Sequence, residues 1–169
     1  LILGVIVFNW HGISAVLFYL AVYSAMNLGA FSIISVIEGD GKGMTFKDFR
    51  GLSAKHPLLA ISMAIFMVSL AGFPPTAGFI AKYGLLSSAA ANGYIWLVII
   101  AVINTLISAY YYLRLIVNMY MRNKEESIEV KWLGLNKVLV GVLALMIFLI
   151  GIIPGFLLEI SKTATLTVF

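Results

Sequence analysis

Lys82 is the residue of this 169-residue chain whose surroundings most suggest chemistry. It ends the run AGFPPTAGFIAK, Ala71 to Lys82, in which Pro74 and Pro75 are adjacent and flanked by Gly72 and Gly78. The prolines lack the N–H that a helical ladder needs and clash with the preceding turn, while the glycines accept the dihedrals of a break. A helix interrupted among apolar residues exposes unpaired backbone groups, which must be buried in protein or line a wet cavity. An ammonium about one turn beyond such a break, taken out of water, can take up and release a proton near neutral pH. The other reading of Lys82 needs no break at membrane depth: if only Pro57 to Thr76 lay in the membrane, it would reach the outer interface and extend its charge to the headgroups.

Three further groups bear on the same chemistry. Tyr19, Tyr23 and Asn27 recur at i, i+4 and i+8, which aligns three hydrogen-bonding side chains on one helix face, either along a hydrated path or as bonds between helices. Asn104, Thr105 and Ser108 read as interhelical packing groups. His11 has no second histidine or carboxylate at metal spacing and reads as an interfacial residue. The chain has no cysteine, which excludes disulfides, thiolate ligands for zinc or iron–sulfur clusters, and a cysteine nucleophile. It carries no Gly-rich phosphate-binding motif. The sequence therefore offers no cofactor site and no metal site of its own.

The elements that position these residues follow from composition. Apolar and aromatic residues make up 62 % of the chain and charged residues 11 %, with a mean hydropathy of +1.06. A water-soluble domain carries about 25 % charge, so the solvent here is lipid. The expected fold is all-α and polytopic: transmembrane helices over 13–37, 57–90 (broken at 72–78), 94–120 and 138–158, after a helix end at 1–8 that reads as the tail of a truncated span. A transmembrane barrel is excluded, because runs such as VLVGVLALMIFLIGII do not alternate.

The loop 38–56 holds Lys42, Lys47, Arg50 and Lys55, and the loop 121–137 holds Arg122, Lys124, Lys131 and Lys137, whereas the turns at 9–12 and 91–93 hold no lysine or arginine. The positive-inside rule then makes both basic loops cytoplasmic, and the net charge of +4 reads as topology with no implication of nucleic-acid binding. Arg114, closing AYYYLR, reads as an interfacial anchor. Lys82 is the basic residue that topology leaves over.

The run PLLAISMAIFMVSLAGFPPTAGFIAKYGLL, Pro57 to Leu86, resembles the discontinuous twelfth helix of the antiporter-like membrane subunits of respiratory complex I, in particular the N-type. FKDFRGL, Phe46 to Leu52, resembles the loop ahead of that helix, and AYYYLRLIVNMY the helix after it. The resemblance extends over most of the chain and implies the C-terminal part of an antiporter-like fold built on inverted repeats, each with a broken helix. It implies a proton-relay role for Lys82. Related subunits carry His and Lys where this chain has Tyr19 and Tyr23, which makes the tyrosines candidates for lining a path. The resemblance also implies proton translocation driven by electron transfer elsewhere, with NADH, flavin, iron–sulfur clusters and quinone on partner subunits. Other membrane-arm subunits and the lipid bilayer are then the partners, quinone is reached only through the complex, and the location is a bacterial inner membrane. Two alternatives stay open: a subunit of a multisubunit cation/proton antiporter or related membrane-bound hydrogenase, and a structural membrane subunit in which Lys82 only anchors.

Overall fold

The computed structural model describes residues 1–7, 9–38, 45–122 and 134–166. Lys42, Lys124 and Lys131 of the basic loops, and Phe8, lie outside the described residues. Among the described residues eight helices follow one another: α1 (Ile2–Val7), α2 (Trp10–Glu38), α3 (Leu52–Lys55), α4 (Pro57–Ala71), α5 (Ala77–Ala91), α6 (Ile95–Met121), α7 (Gly134–Ile152) and α8 (Gly155–Leu166).

The 29-residue α2 is the central element, packing against α1, α4, α5, α7 and α8. Its sequence is apolar almost all round, yet its buried residues form one stripe: Ser14, Phe18, Val22, Met26, Ala30, Ile33 and Ile37. The spacing of three and four is that of a single helix face. Against this stripe lie Leu59, Met63, Phe66 and Leu70 of α4 and Ala77 and Ala81 of α5, with Val140, Ala144 and Ile147 of α7 completing the core. Gly29 allows the closest of these approaches, since a Cβ there would overlap the ring of Phe66. The 27-residue α6 is peripheral, burying only Leu115, Asn118 and Met119 along its length.

Helix ends group at two levels. At one end of the bundle the Ser53 hydroxyl donates to the Met119 carbonyl near the end of α6 (2.9 Å), and the Arg114 guanidinium lies 5.1 Å from the centre of the Phe46 ring. At the other, the Asn9 amide donates to the Asn92 side-chain oxygen just beyond α5 (3.2 Å). Asn9 also caps α2, its side-chain oxygen accepting from the Gly12 N–H at 2.8 Å. Residues 10–12, including His11, thus form the first turn of α2, although their sequence suggests a turn.

Among the described residues two helices, α2 and α6, are long and apolar enough to cross a membrane unaided. The 15-residue α4 rises about 22 Å, short of the ~30 Å hydrocarbon core. Where the sequence suggests one helix over 138–158, the chain forms two, with Asn136–Ile152 and Gly155–Leu166 meeting at 85°. Pro154 is the reason: it cannot donate to the ladder and pushes the residue before it out of helical geometry. Lys162 therefore lies within α8.

Candidate functional site: a lysine on a broken helix

The end of α4 is built by its own backbone. Gly72 takes φ +87°, a left-handed conformation that favours glycine, and lets the chain turn back. The Phe73 N–H then donates to the Val68 carbonyl (3.1 Å) and the Gly72 N–H to the Ser69 carbonyl (3.0 Å), the paired bonds of a Schellman end. Two carbonyls of the last turn, those of Leu70 and Ala71, face away from this closure, and Lys82 takes both. Its Nζ donates to Leu70 at 2.8 Å and to Ala71 at 3.2 Å. The partner of this ammonium is the C-terminus of a helix, where aligned peptide dipoles amount to roughly half a negative charge.

The turn between α4 and α5 holds α5 in place for this contact. Pro74 and Pro75, joined by a cis peptide bond, occupy the break, and the Thr76 hydroxyl donates to the Phe73 carbonyl at 2.6 Å. Gly78 sits directly on α4: its N–H donates to the Ser69 hydroxyl at 3.0 Å, and a Cβ at Gly78 would overlap the Ser69 carbonyl. From this fixed start, one turn of α5 carries Lys82 to a position from which its side chain reaches back to the end of α4. Gly151 of α7 closes the third side, since a Cβ there would run into the backbone of Pro75 and Thr76.

Beside Lys82 is a cavity of about 270 Å³. Tyr19 and Tyr23 line it from α2, their rings stacked with centres 5.6 Å apart, and Asn104, Thr105, Ser108 and Tyr112 line it from α6. Ser108 is the middle residue of α6, and Tyr23 lies one residue from the middle of α2. The cavity and Lys82 therefore stand at half the height of the two longest helices, far from either end. None of the described residues that line it is acidic. Among the described residues there is also no group of three His, Cys, Asp or Glu side chains able to hold a metal ion.

The structure brings Lys82, Tyr19, Tyr23 and Gly78 to one cavity and sets Gly72, Pro74 and Pro75 at the helix break behind it. Asn27 is not among the lining residues; its amide donates to the Tyr23 carbonyl of its own helix at 2.9 Å. The α6 contribution is the part that sequence reasoning assigned to packing. The signal for it was present as a spacing, because residues 104, 105, 108 and 112 share one helix face.

The transmembrane family described as NADH:quinone oxidoreductase/Mrp antiporter matches residues 1–108. The NADH-quinone oxidoreductase subunit N of Trichlorobacter lovleyi is 46 % identical over 160 residues, covering 90 % of this chain and 32 % of that protein. Subunit N 1 of Thermodesulfovibrio yellowstonii is 40 % identical over 158 residues, covering 94 % of this chain and 34 % of that protein. The chain thus spans about a third of the length of the curated relatives it matches. Among solved structures, a chain of respiratory complex I from Thermus thermophilus with bound aureothin superposes with a TM-score of 0.76 at 28 % identity, over 89 % of this chain and 35 % of that one. A chain of the Mrp complex from a Dietzia species superposes with a TM-score of 0.81 over 96 % of this chain and 39 % of that one; at 22 % identity this is a likeness of fold. With its all-helical membrane architecture and its broken helix, the chain belongs to the NADH:quinone oxidoreductase/Mrp antiporter transmembrane family.

Proposed function

We propose that this chain is the proton-transferring end of a membrane-arm subunit in a proton-translocating NADH:quinone oxidoreductase, with Lys82 as its relay. The observation that carries the reading is the Lys82 ammonium held at mid-height on the Leu70 and Ala71 carbonyls, with a polar cavity at its side.

The chemistry follows from the donor count. A lysine ammonium has three N–H groups, of which two are engaged by the carbonyls, leaving one for the cavity. Release of that proton leaves an amine that keeps both carbonyl bonds and turns its lone pair to the cavity. The proton can thus come and go without opening the helix end. The cavity is roomy enough for several waters, and Tyr19, Tyr23, Ser108 and Tyr112 supply hydroxyls to hold them in a chain. An unperturbed tyrosine titrates near pH 10, so these groups pass or position protons as hydrogen-bonding partners, without ionising.

In this reading NADH, flavin, iron–sulfur clusters and quinone belong to partner subunits, and the chain takes part by charge. A second cation approaching the cavity would drive the proton off Lys82 by like-charge repulsion, and its retreat would allow reloading. The basic loops around Arg50 and Lys137 face the cytoplasm, and the membrane is a bacterial inner membrane. The names of the relatives favour this over the second reading, an ion-exchanging subunit of an antiporter complex, which rests on the shared fold. Neighbouring genes distinguish the two, redox subunits accompanying one and antiporter subunits the other.

The test is Lys82→Met in the full-length subunit, assembled in its complex and reconstituted into vesicles. Proton transfer through the subunit is expected to fall by about 100-fold or more, the scale on which a positioned proton-transfer group acts. Assembled complexes that keep their redox rate and their full proton yield would overturn the relay.

A further inference from the structure

We propose that a cavity between α2, α5 and α8, at the Asn9–Asn92 end of the bundle, holds the phosphate headgroup of an anionic phospholipid, with the start of an acyl chain on its apolar floor. The cavity measures about 410 Å³ and shares no lining residue with the Lys82 site, so the inference is independent of the relay.

The starting point is a serine with nothing to bind. A serine inside a helix commonly donates to the carbonyl one turn back, as Ser32 and Ser161 do. For Ser88 that carbonyl belongs to Gly84, and the Ser87 hydroxyl takes it at 3.1 Å. Ser88 is left 7 % exposed, with a buried hydroxyl that no atom among the described residues satisfies. It lines the cavity together with Ser14 of α2, which is 8 % exposed. A buried hydroxyl in this state calls for a partner from outside the chain.

The rest of the lining selects that partner. His11, in the first turn of α2, and Lys162 of α8 line the cavity and are exposed, which puts them at its mouth, and neither makes an ion pair or a side-chain hydrogen bond among the described residues. The charge of Lys162 has no counter-ion within reach. On the three helices of the cavity the carboxylates are Glu159, exposed and not part of the lining, and Glu38, about 40 Å from His11 at the far end of α2. Residues 39–44 and 123–133 are tied at both ends to that far end, so the longer segment, of eleven residues, reaches at most about 20 Å along the bundle, against about 30 Å from Glu38 to Phe18, the deepest α2 residue of the lining. Phe8, Thr167, Val168 and Phe169 bring no side-chain carboxylate. The floor, with Phe18, Ile80 and Leu158, is apolar. A free phosphate has no use for that floor, and a lipid without net charge has no use for Lys162. An anionic phospholipid uses both, its phosphate oxygens accepting from the lysine, the histidine and the serine hydroxyls.

The experiment uses the full-length protein in its complex and a photoactivatable phosphatidylglycerol, with cross-linking read on the peptide carrying residues 83–92. Labelling is expected to saturate and to be displaced by unlabelled phosphatidylglycerol, but neither by phosphatidylcholine nor by inorganic phosphate at the same concentration. Lys162→Gln should weaken binding about fivefold, the contribution of one lysine beside an anionic lipid, and Lys162→Arg should retain it. Ser88→Ala should also weaken binding about fivefold, as loss of one hydrogen bond to a charged group, yet melt with the wild type in lipid-free detergent, because the hydroxyl has no protein partner to lose. Equal competition by phosphatidylcholine would make the site a general lipid groove, displacement by inorganic phosphate would make it a phosphate site, and absence of saturable labelling would leave it to water. Any of these, or unchanged labelling of both Lys162→Gln and Ser88→Ala, would overturn the proposal.

Discussion

Gly78 and Gly84 lie in the same 15-residue helix and are expected to respond to alanine in opposite directions. A Cβ at Gly78 would lie 2.7 Å from the Ser69 carbonyl carbon and 2.9 Å from the Ser69 hydroxyl oxygen, with the carbonyl oxygen closer still. Ordinary contact with a carbonyl oxygen or carbon is about 3.4 Å or more, so the start of α5 would have to retreat from α4 by more than about an ångström. The obstacle is backbone and cannot rotate away. Overpacking of this kind costs about 1–3 kcal/mol, and the retreat also stretches the Gly78 N–H bond to Ser69, whose loss adds about 1 kcal/mol. Gly78→Ala should therefore destabilise by about 2–4 kcal/mol. At Gly84 the nearest atom to a built Cβ is Ala15 Cβ at 3.7 Å, an ordinary contact, and the helix gains up to ~1 kcal/mol from replacing glycine. Thermal unfolding of the full-length protein in detergent, followed by tryptophan fluorescence, measures both. The account of the break would be refuted if Gly78→Ala melted with the wild type, or if Gly84→Ala were equally damaging.

The same contrast applies across α7. Gly151→Ala would push on the Pro75 and Thr76 backbone, and should lower the yield of folded protein and disturb proton transfer together, whereas Gly141→Ala, with open space around it, should do neither to a measurable extent. Western analysis of membranes and vesicle pumping assays read the two effects. Lys82→Arg keeps a positive charge and several donors for the Leu70 and Ala71 carbonyls but cannot deprotonate, so folding should survive while proton transfer is lost; pumping at the wild-type rate would confine Lys82 to closing the helix end.

The break was legible because it is written in residues with no other use at that place. Two prolines between two glycines cannot continue a helix, and the αL geometry of Gly72 with the tight seat of Gly78 is what those glycines supply. The inward face of α2 was not legible, since a helix apolar on every side gives no contrast from which to read one stripe. Tyr19 and Tyr23 could be placed on a common face, but whether Asn27 continued toward the cavity depended on a bond to its own backbone that no spacing reveals. The second break, at Pro154, escaped because one proline in a long apolar run was outweighed by the hydropathy around it. The face formed by Asn104, Thr105, Ser108 and Tyr112 was visible as a pattern and undecidable as a function, because hydrogen-bonding groups between helices and groups lining water use the same residue types.

Composition leaves the depth of Lys82 open between mid-membrane and interface, and the direction in which its side chain runs bears on that choice. An interfacial lysine would extend toward the near end of its helix, which for α5 is the end at Ala91. Lys82 extends the other way, back to the Leu70 and Ala71 carbonyls, beside residues at the middle of α2 and α6. A buried charge usually needs a carboxylate, and truncating one member of such a pair leaves the other stranded at a cost of several kcal/mol. Here the compensating negative charge is a helix end, which does not titrate. The helix end therefore keeps the same two acceptors whether the nitrogen is ammonium or amine, and the break that exposes those acceptors is what makes a lysine tolerable at that height.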